Sequence, residues 1–464
     1  MANPVTIPTC FKAYDIRGRV PDELNPQLAR DIGRAYAAIL SPCKIAVGHD
    51  IRLSSQALTE ALISGLLDSG VDVLELGLCG TEEIYHAAFS LESEGVDGGI
   101  VVTASHNPAD HNGMKLVTVE ARPVTGESGL KEMAEMIVGC RLPDMPATKG
   151  RRSQVTGKNA YIQHLLGYVD RAALKPMKLV VNSGNGCAGA IIDLLEPHLP
   201  FTFIKAHHNP DGSFPNGVPN PLLPEKREET ARLVREHGAD LGIAWDGDFD
   251  RCFFWDAQGN FIEGYYIVGL LALELLTQEP GGKILHDPRL VWNTEELVQA
   301  AGGIPVMTRT GHAFIKQRMR QEDAIYGGEM SAHHYFRDFS YCDSGMIPWL
   351  LICSLLCRRN TTLASLVKDR MAAYPVSGEI NSVVDDPDAA IARVKARFGQ
   401  GEEDYTDGLS VTFRDFRFNI RKSNTEPLLR LNVESRHNPA LLEEKTAELL
   451  ELIRGKNPRN HTAG

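Results

Sequence analysis

The run Asp240-Leu241-Gly242-Ile243-Ala244-Trp245 passes without a break into Asp246-Gly247-Asp248-Phe249-Asp250-Arg251. An apolar run of strand length that ends in a polar loop marks a buried strand. In open α/β sheets the loop beyond the carboxyl end of such a strand is where ligands bind. Two further runs precede it, at 178–181 and 201–205, separated by stretches with helical periodicity. The same three-beat pattern occurs at 44–48, 71–76 and 99–102, and again at 283–286, 304–308 and 324–327. In each set the third run leads into an unusual polar loop, at 103–108, 246–251 and 328–336. The pattern predicts three similar α/β domains with mixed or largely parallel sheets.

Beyond residue 370 the texture changes. Segments 409–420 and 428–434 read as two strands flanking a polar loop at 421–427, and a helix is expected over 441–453. This predicts a smaller C-terminal α+β domain. The expected domains are 1–150, 151–254, 255–369 and 370–464, with a polar, disordered tail from 455.

The 464-residue chain is 43% hydrophobic and 23% charged, with a net charge of -12. That charge argues against nucleic acid or an anionic membrane as the main partner, and leaves room for a small anionic ligand. The longest apolar stretch, 346–357, contains Pro348 and is too short to span a bilayer. The first fifteen residues carry no apolar signal region. The nine cysteines form no C-x-x-C pair. Cys353 and Cys357 read as core thiols, and the set suits a reducing cytoplasm.

Three carboxylates at alternate positions, Asp246, Asp248 and Asp250, repel one another unless a cation joins them. Oxygen-only ligands select magnesium, calcium or manganese, and Gly247 would let the chain curl around the ion. An EF-hand is excluded, because its sixth and twelfth positions fall on Arg251 and Ala257. A haloacid-dehalogenase-type nucleophile is a rival, although Asp250 stands where it needs Thr or Val. A solvated acidic turn is the bland alternative.

Ser105, in Thr103-Ala-Ser-His-Asn-Pro108, lies just past a strand beside His106, with Lys115 ten residues on. A nucleophilic serine needs such a base or charge nearby, whereas a turn serine does not. In Gly328-Glu329-Met330-Ser331-Ala332-His333 an extended chain would turn Glu329, Ser331 and His333 to one side, suited to sugar hydroxyls. His333-His334 and His207-His208 are poor metal candidates, because adjacent side chains diverge. Arg421-Lys422-Ser423-Asn424-Thr425 is an inventory for cradling phosphate. Tyr14-Asp15-Ile16-Arg17-Gly18 offers one more cation. Gly184-Asn185-Gly186-Cys187-Ala188-Gly189 mimics a dinucleotide fingerprint, but the acid expected about 20 residues later is missing, and a tight strand-to-helix turn is the better reading.

Together the motifs, with the opening Phe11-Lys-Ala-Tyr-Asp-Ile-Arg-Gly18, resemble the α-D-phosphohexomutase family over nearly the whole chain. The segment 328–346, with His333-His334-Tyr335-Phe336, is most similar to its bacterial phosphomannomutase branch. The resemblance implies four domains around a central cleft and a phosphorylated Ser105. It implies Mg²⁺ held by Asp246, Asp248, Asp250 and the phosphoserine, with a hexose 1,6-bisphosphate as activator. Glu329 and Ser331 would bind sugar hydroxyls, while Arg421, Ser423, Asn424 and Thr425 would hold the non-reacting phosphate. Tyr14, Arg17, His106, Lys115, Arg251, His312 and His333 match cleft positions of relatives, as does Arg289, where many relatives carry Lys. The implied reaction interconverts mannose 6-phosphate and mannose 1-phosphate for GDP-mannose synthesis, by a cytoplasmic monomer or homodimer. Either Lys115 or His333 would take the sugar hydroxyl proton. A phosphatase or phosphoglucomutase on the same machinery, and a non-catalytic sugar-phosphate sensor, are the rival functions.

Overall fold

The computed structural model describes residues 7–422 and 428–455. The chain divides into two compact units, 1–261 with 333–359, and 262–332 with 360–464.

The first unit holds two sheets. In one, Lys44–His49 pairs in parallel with both Asp72–Leu78 and Gly98–Val102, and Asp72–Leu78 pairs in parallel with Arg152–Gln154. On the other side Gly98–Val102 pairs antiparallel with His111–Thr118, which in turn pairs antiparallel with Ile16–Arg19. All five residues of Gly98–Val102 are buried, so this strand is apolar throughout rather than alternating. The helix Pro26–Leu40 begins where the Asn25 side chain accepts from the Leu28 amide at 3.0 Å, with proline at its first position. Such a cap contributes about 1 kcal/mol. Its buried Ala29, Ile32 and Tyr36 recur every three or four residues. They join Leu58, Leu62 and Leu66 of the helix Ser55–Asp68 in one core.

In the second sheet Lys178–Asn182 lies parallel to Thr202–Ala206 and to Leu241–Trp245, and Cys252–Trp255 returns antiparallel to Leu241–Trp245. The helix Ala188–Leu195 follows Lys178–Asn182 through the turn at Gly184, as the absent acidic residue led us to expect. This unit also contains the hairpin His334–Phe336 with Cys342–Asp343, and the buried helix Met346–Arg359 carrying Cys353 and Cys357. Among the described residues no single helix is long and apolar enough to cross a membrane.

In the second unit Lys283–His286 lies parallel to Ile304–Met307 and to Tyr326–Gly328. The C-terminal sheet is antiparallel throughout, with Leu428–Ser435 between Val376–Val383 and Phe416–Lys422, followed by Leu409–Thr412 and Glu402–Asp404. Its core includes Leu409, Phe418, Leu431 and Leu449. The closing helix, Pro439–Arg454, is capped by the Asn438 side chain.

The three α/β sheets and the α+β ending match the predicted fold class, and all nine strands of the three-beat pattern are present. The single strand expected over 409–420 is two strands. The Phe413 amide donates to the Phe416 carbonyl at 2.9 Å, and the stacked rings of these residues hold a turn that the apolar run conceals. The antiparallel strands His111–Thr118 and Cys252–Trp255 were not anticipated.

Candidate functional site

In the first unit, Ser105 follows the buried strand Gly98–Val102 and is 3% exposed. Its backbone lies in the left-handed region, at φ 47°. Its hydroxyl donates to Asp246 Oδ2 at 2.7 Å and lies 3.1 Å from His106 Nδ1. The two loops therefore meet, although their residues are more than a hundred positions apart.

Ligand oxygens of Asp246, Asp248 and Asp250 lie within 4.8 Å of one another, and all three side chains are buried. The curl comes from Phe249, at φ 46°, and not from Gly247. Gly247 is required because a Cβ there would stand 2.7 Å from the Ser105 carbonyl oxygen. Lys115, on the strand His111–Thr118, reaches across to both Asp248, at 2.9 Å, and Asp250. Its ammonium is buried, but the two carboxylates outweigh desolvation and hold it protonated. Arg251 Nε lies 3.4 Å from Asp246 Oδ2, and its Nη2 donates to His106 Nδ1 at 2.6 Å. Burial, then the Arg251 and Arg17 charges, keep the His106 imidazole neutral.

Burial first, then Asp250 and Asp248, push the Asp246 carboxyl up to about 7. For Asp248, burial and Asp250 raise the pKa, but Lys115 and the Thr81 hydroxyl pull it below the usual carboxylate range. Asp248 Oδ1 and Asp250 Oδ1 are buried with no hydrogen-bond partner. Two orphaned carboxylate oxygens, with a third carboxyl pushed toward its neutral form, fit a hard divalent cation. An oxygen donor on Ser105 lies beside the same cluster.

Arg17 donates to Asn107 Oδ1 at 3.0 Å, on the serine loop, and pairs with Asp15 at 2.7 Å. Tyr14 is half-buried just before that strand. His333 pairs across an isolated bridge with Arg251, and its Nδ1 lies 3.2 Å from Asp343 Oδ2.

In the second unit, Arg289 is buried and forms a fork on Asp287, with Nε to Oδ1 at 2.9 Å and Nη2 to Oδ2 at 2.8 Å. Its Nη2 also donates to Glu329 Oε1 at 3.4 Å and to Ser331 Oγ at 3.3 Å. Glu379 Oε2 lies 3.5 Å from Arg289 Nη1 and 3.3 Å from Arg421 Nη2, and Glu379 Oε1 lies 3.4 Å from Arg430 Nη1. Three guanidinium groups thus converge on one carboxylate. His312 opens the helix His312–Glu322. The segment 329–332 is not extended as expected. The Ala332 amide donates to the Glu329 carbonyl at 3.0 Å, Ala332 has φ 68°, and the boundary between units falls before His333. Ser423, Asn424 and Thr425 lie outside the described residues.

Sequence reasoning missed several partners. Thr81 Oγ1 donates to Asp248 Oδ2 at 2.5 Å, and Thr103 Oγ1 to Asp50 Oδ2 at 2.7 Å. Asp343 and Arg52 were also not anticipated. Asp50-Ile-Arg52 directly follows the strand Lys44–His49, and that position at a strand's carboxyl end is the signal that could have exposed it.

Four family models, each described as a domain of phosphoglucomutase/phosphomannomutase, match the chain in order. Domain I matches 8–136, domain II 159–259, domain III 263–374 and the C-terminal domain 379–452. The chain belongs to the phosphoglucomutase/phosphomannomutase family. It is 60% identical over 453 residues to a Salmonella montevideo protein named phosphomannomutase, covering 96% of this chain and 99% of that one. It is also 60% identical over 453 residues to a Xanthomonas campestris protein named phosphohexose mutases, covering 97% of this chain and 100% of that one. A crystal structure of a phosphoglucomutase/phosphomannomutase family protein from Burkholderia thailandensis superposes with a TM-score of 0.85 at 31% identity, covering 96% of this chain and 97% of that one. Membership makes the chain an intramolecular phosphotransferase, a mutase, with a mixed α/β fold.

Proposed function

We propose that the enzyme interconverts mannose 6-phosphate and mannose 1-phosphate, with Ser105 as the phosphoryl carrier. The observation that carries this reading is the 2.7 Å hydrogen bond from the Ser105 hydroxyl to Asp246, the first carboxylate of the buried acidic cluster. The relatives at about 60% identity, one of them named a phosphomannomutase, favour mannose as the sugar.

In the forward direction the bond from phosphorus to Ser105 Oγ breaks. A bond forms from phosphorus to the free hydroxyl oxygen of the bound hexose monophosphate, giving a hexose 1,6-bisphosphate. The hydroxyl proton passes to His333, which Asp343 orients through Nδ1. Lys115 is the weaker base candidate, because two carboxylates hold it protonated. The bisphosphate then turns over and returns its other phosphoryl group to Ser105. Asp246, Asp248, Asp250 and the phosphoserine would hold Mg²⁺, which when bound supplies Lewis-acid charge stabilisation for a reaction that is mostly positioning and electrostatics. Arg251 and Arg17 add positive charge and direct hydrogen bonds around the serine loop. Glu329 and Ser331 would receive sugar hydroxyls, and Arg421 the phosphate that does not react, with Ser423, Asn424 and Thr425. Tyr14, His312 and Arg289 complete the proposed binding set. The product would feed GDP-mannose synthesis in the cytoplasm, where nine free thiols are at home. A hexose 1,6-bisphosphate would activate the enzyme by loading Ser105.

Phosphorus NMR tests the reading. Enzyme, Mg²⁺, a trace of hexose 1,6-bisphosphate and mannose 1-phosphate are expected to give a growing 6-phosphate signal, faster than with glucose 1-phosphate. Release of inorganic phosphate would mark a phosphatase, and an unchanged spectrum would leave only a binding protein.

A further inference from the structure

The serine loop is gripped by a residue that touches neither the acidic cluster nor its lysine. Arg52 is almost wholly buried, and its guanidinium donates only to main-chain carbonyls of the loop that carries Ser105. Nη2 reaches Ser105 O at 2.8 Å, Asn107 O at 2.6 Å and Ala104 O at 3.4 Å. Nη1 reaches Pro108 O at 2.7 Å and His111 O at 2.9 Å. Five carbonyls spread along the loop converge on one planar fork, an arrangement that a lysine, with three donors on a single atom, cannot reproduce. Asp50 holds the other side of the loop. It accepts from Thr103 Oγ1 at 2.7 Å and from the Ala104 amide at 3.3 Å, and Thr103 Oγ1 in turn accepts from the Ser105 amide at 3.0 Å. Asp50 Oδ2 also lies 3.4 Å from Arg52 Nε. The buried Phe214 ring covers the guanidinium, 5.4 Å from its centre.

Ser105 needs this grip. A non-glycine residue in the left-handed region is strained and persists only where its surroundings over-determine it. The strand pairing below the loop does not depend on Arg52. Lys44–His49 is already laddered to Gly98–Val102, and the Asp50 amide donates to the Val102 carbonyl at 2.9 Å. Loss of the fork would therefore loosen the loop while leaving the sheet.

We propose that Arg52 is a positioning residue for phosphoryl transfer, fixing the Ser105 oxygen in line with the phosphorus in both half-reactions. The proposal rests on Ser105 being the phosphoryl carrier. Arg52 makes no contact with the three aspartates, so its loss acts on the transfer step and leaves their hold on Mg²⁺ in the unphosphorylated enzyme intact.

The test compares Arg52→Lys with wild-type and Ser105→Ala enzyme. Steady-state kinetics, rapid-quench mass analysis of Ser105 phosphorylation by hexose 1,6-bisphosphate, and the Mg²⁺-induced thermal shift are measured for each. Misplacement of a reacting atom by about 1 Å commonly costs about 10²-fold, so kcat and the phosphorylation rate of Arg52→Lys should fall together by about that factor. KM and the Mg²⁺ shift should stay near wild type. A wild-type phosphorylation rate, or a rate loss matched by loss of the Mg²⁺ response, would overturn the proposal. Should Arg52→Lys not fold, Phe214→Leu keeps the fork and removes the ring packed on it. That variant should slow phosphorylation several-fold, and an unchanged rate would count equally against Arg52. Full activity in Ser105→Ala would instead remove the carrier reading itself, whereas an inactive Ser105→Ala beside a fast Arg52→Lys removes only the role of Arg52.

Discussion

Each unit contains a group of three carboxylates, all buried in the first unit and with Glu379 half-buried in the second, and the two groups are resolved in opposite ways. Around Asp287, Glu329 and Glu379 the protein supplies the cation itself, as Arg289 lies within 3.5 Å of all three. Burial raises the pKa of Asp287 and of Glu379, but Arg289, joined by main-chain amides at Asp287 and by Arg421 and Arg430 at Glu379, brings both below their ordinary values. Around Asp246, Asp248 and Asp250 the protein's cations are incomplete. Lys115 and Arg251 engage some oxygens, two others have no hydrogen-bond partner, and one carboxyl is pushed toward neutrality. Under the proposed function, the cluster satisfied from within would help bind the sugar phosphate. The cluster left short of positive charge would be the one that takes an ion.

The contrast can be broken most forcefully at Arg289. Removing one partner of a buried ion pair typically costs about 3–5 kcal/mol, and Arg289→Met should destabilise the protein by that order in urea unfolding, with no recovery on adding Mg²⁺. Recovery by Mg²⁺ would make the two clusters equivalent.

Asp248→Asn should lower kcat by about 10²–10³-fold, the usual loss for one preorganised charge, and abolish the Mg²⁺-induced thermal shift. Near-native turnover would remove Asp248 from the metal set.

The next effect depends on pH. A carboxyl whose folded pKa lies above its unfolded value binds more protons when folded, so its contribution to stability declines as pH rises from about 4 toward 7. Metal binding must displace that proton. With Asp246 near 7, Mg²⁺ affinity should be about tenfold greater at pH 8 than at pH 6. Calorimetric titration in buffers of different ionisation enthalpy should show net proton release at pH 6. A pH-independent affinity would contradict the raised Asp246.

Ser331→Ala should have the smallest effect. One hydrogen bond is worth about 1 kcal/mol, so KM should rise several-fold with kcat little changed. A kcat loss equal to that of Asp248→Asn would place Ser331 in the chemistry.

The two clusters also show what a sequence can reveal. Asp246, Asp248 and Asp250 were legible because alternate carboxylates after a buried strand have few structural uses. Their backbone was not legible, because Phe249 and not Gly247 makes the turn. The second cluster was hidden, since Asp287, Glu329 and Glu379 are far apart in sequence and only the folded sheet edges gather them. Lys115 was picked out by proximity to Ser105 and by its match to a cleft position of relatives, but the antiparallel strand that brings it to Asp248 carries no distinctive pattern. Arg52 was invisible for a different reason, because all its loop partners are main-chain carbonyls, which leave no side-chain signature. The strands themselves were plain from continuous apolar runs, and the one that split, at 413–415, did so at a turn whose flanking phenylalanines kept the run apolar.

Intact mass spectrometry after incubation with Mg²⁺ and mannose 1,6-bisphosphate tests the central claim most directly. The wild-type chain should gain a single phosphoryl group, located by peptide mapping at Ser105, lose it on chase with excess mannose 1-phosphate, and show no gain in Ser105→Ala. A phosphoryl group on another residue, or none on an enzyme that is turning over, would contradict the account.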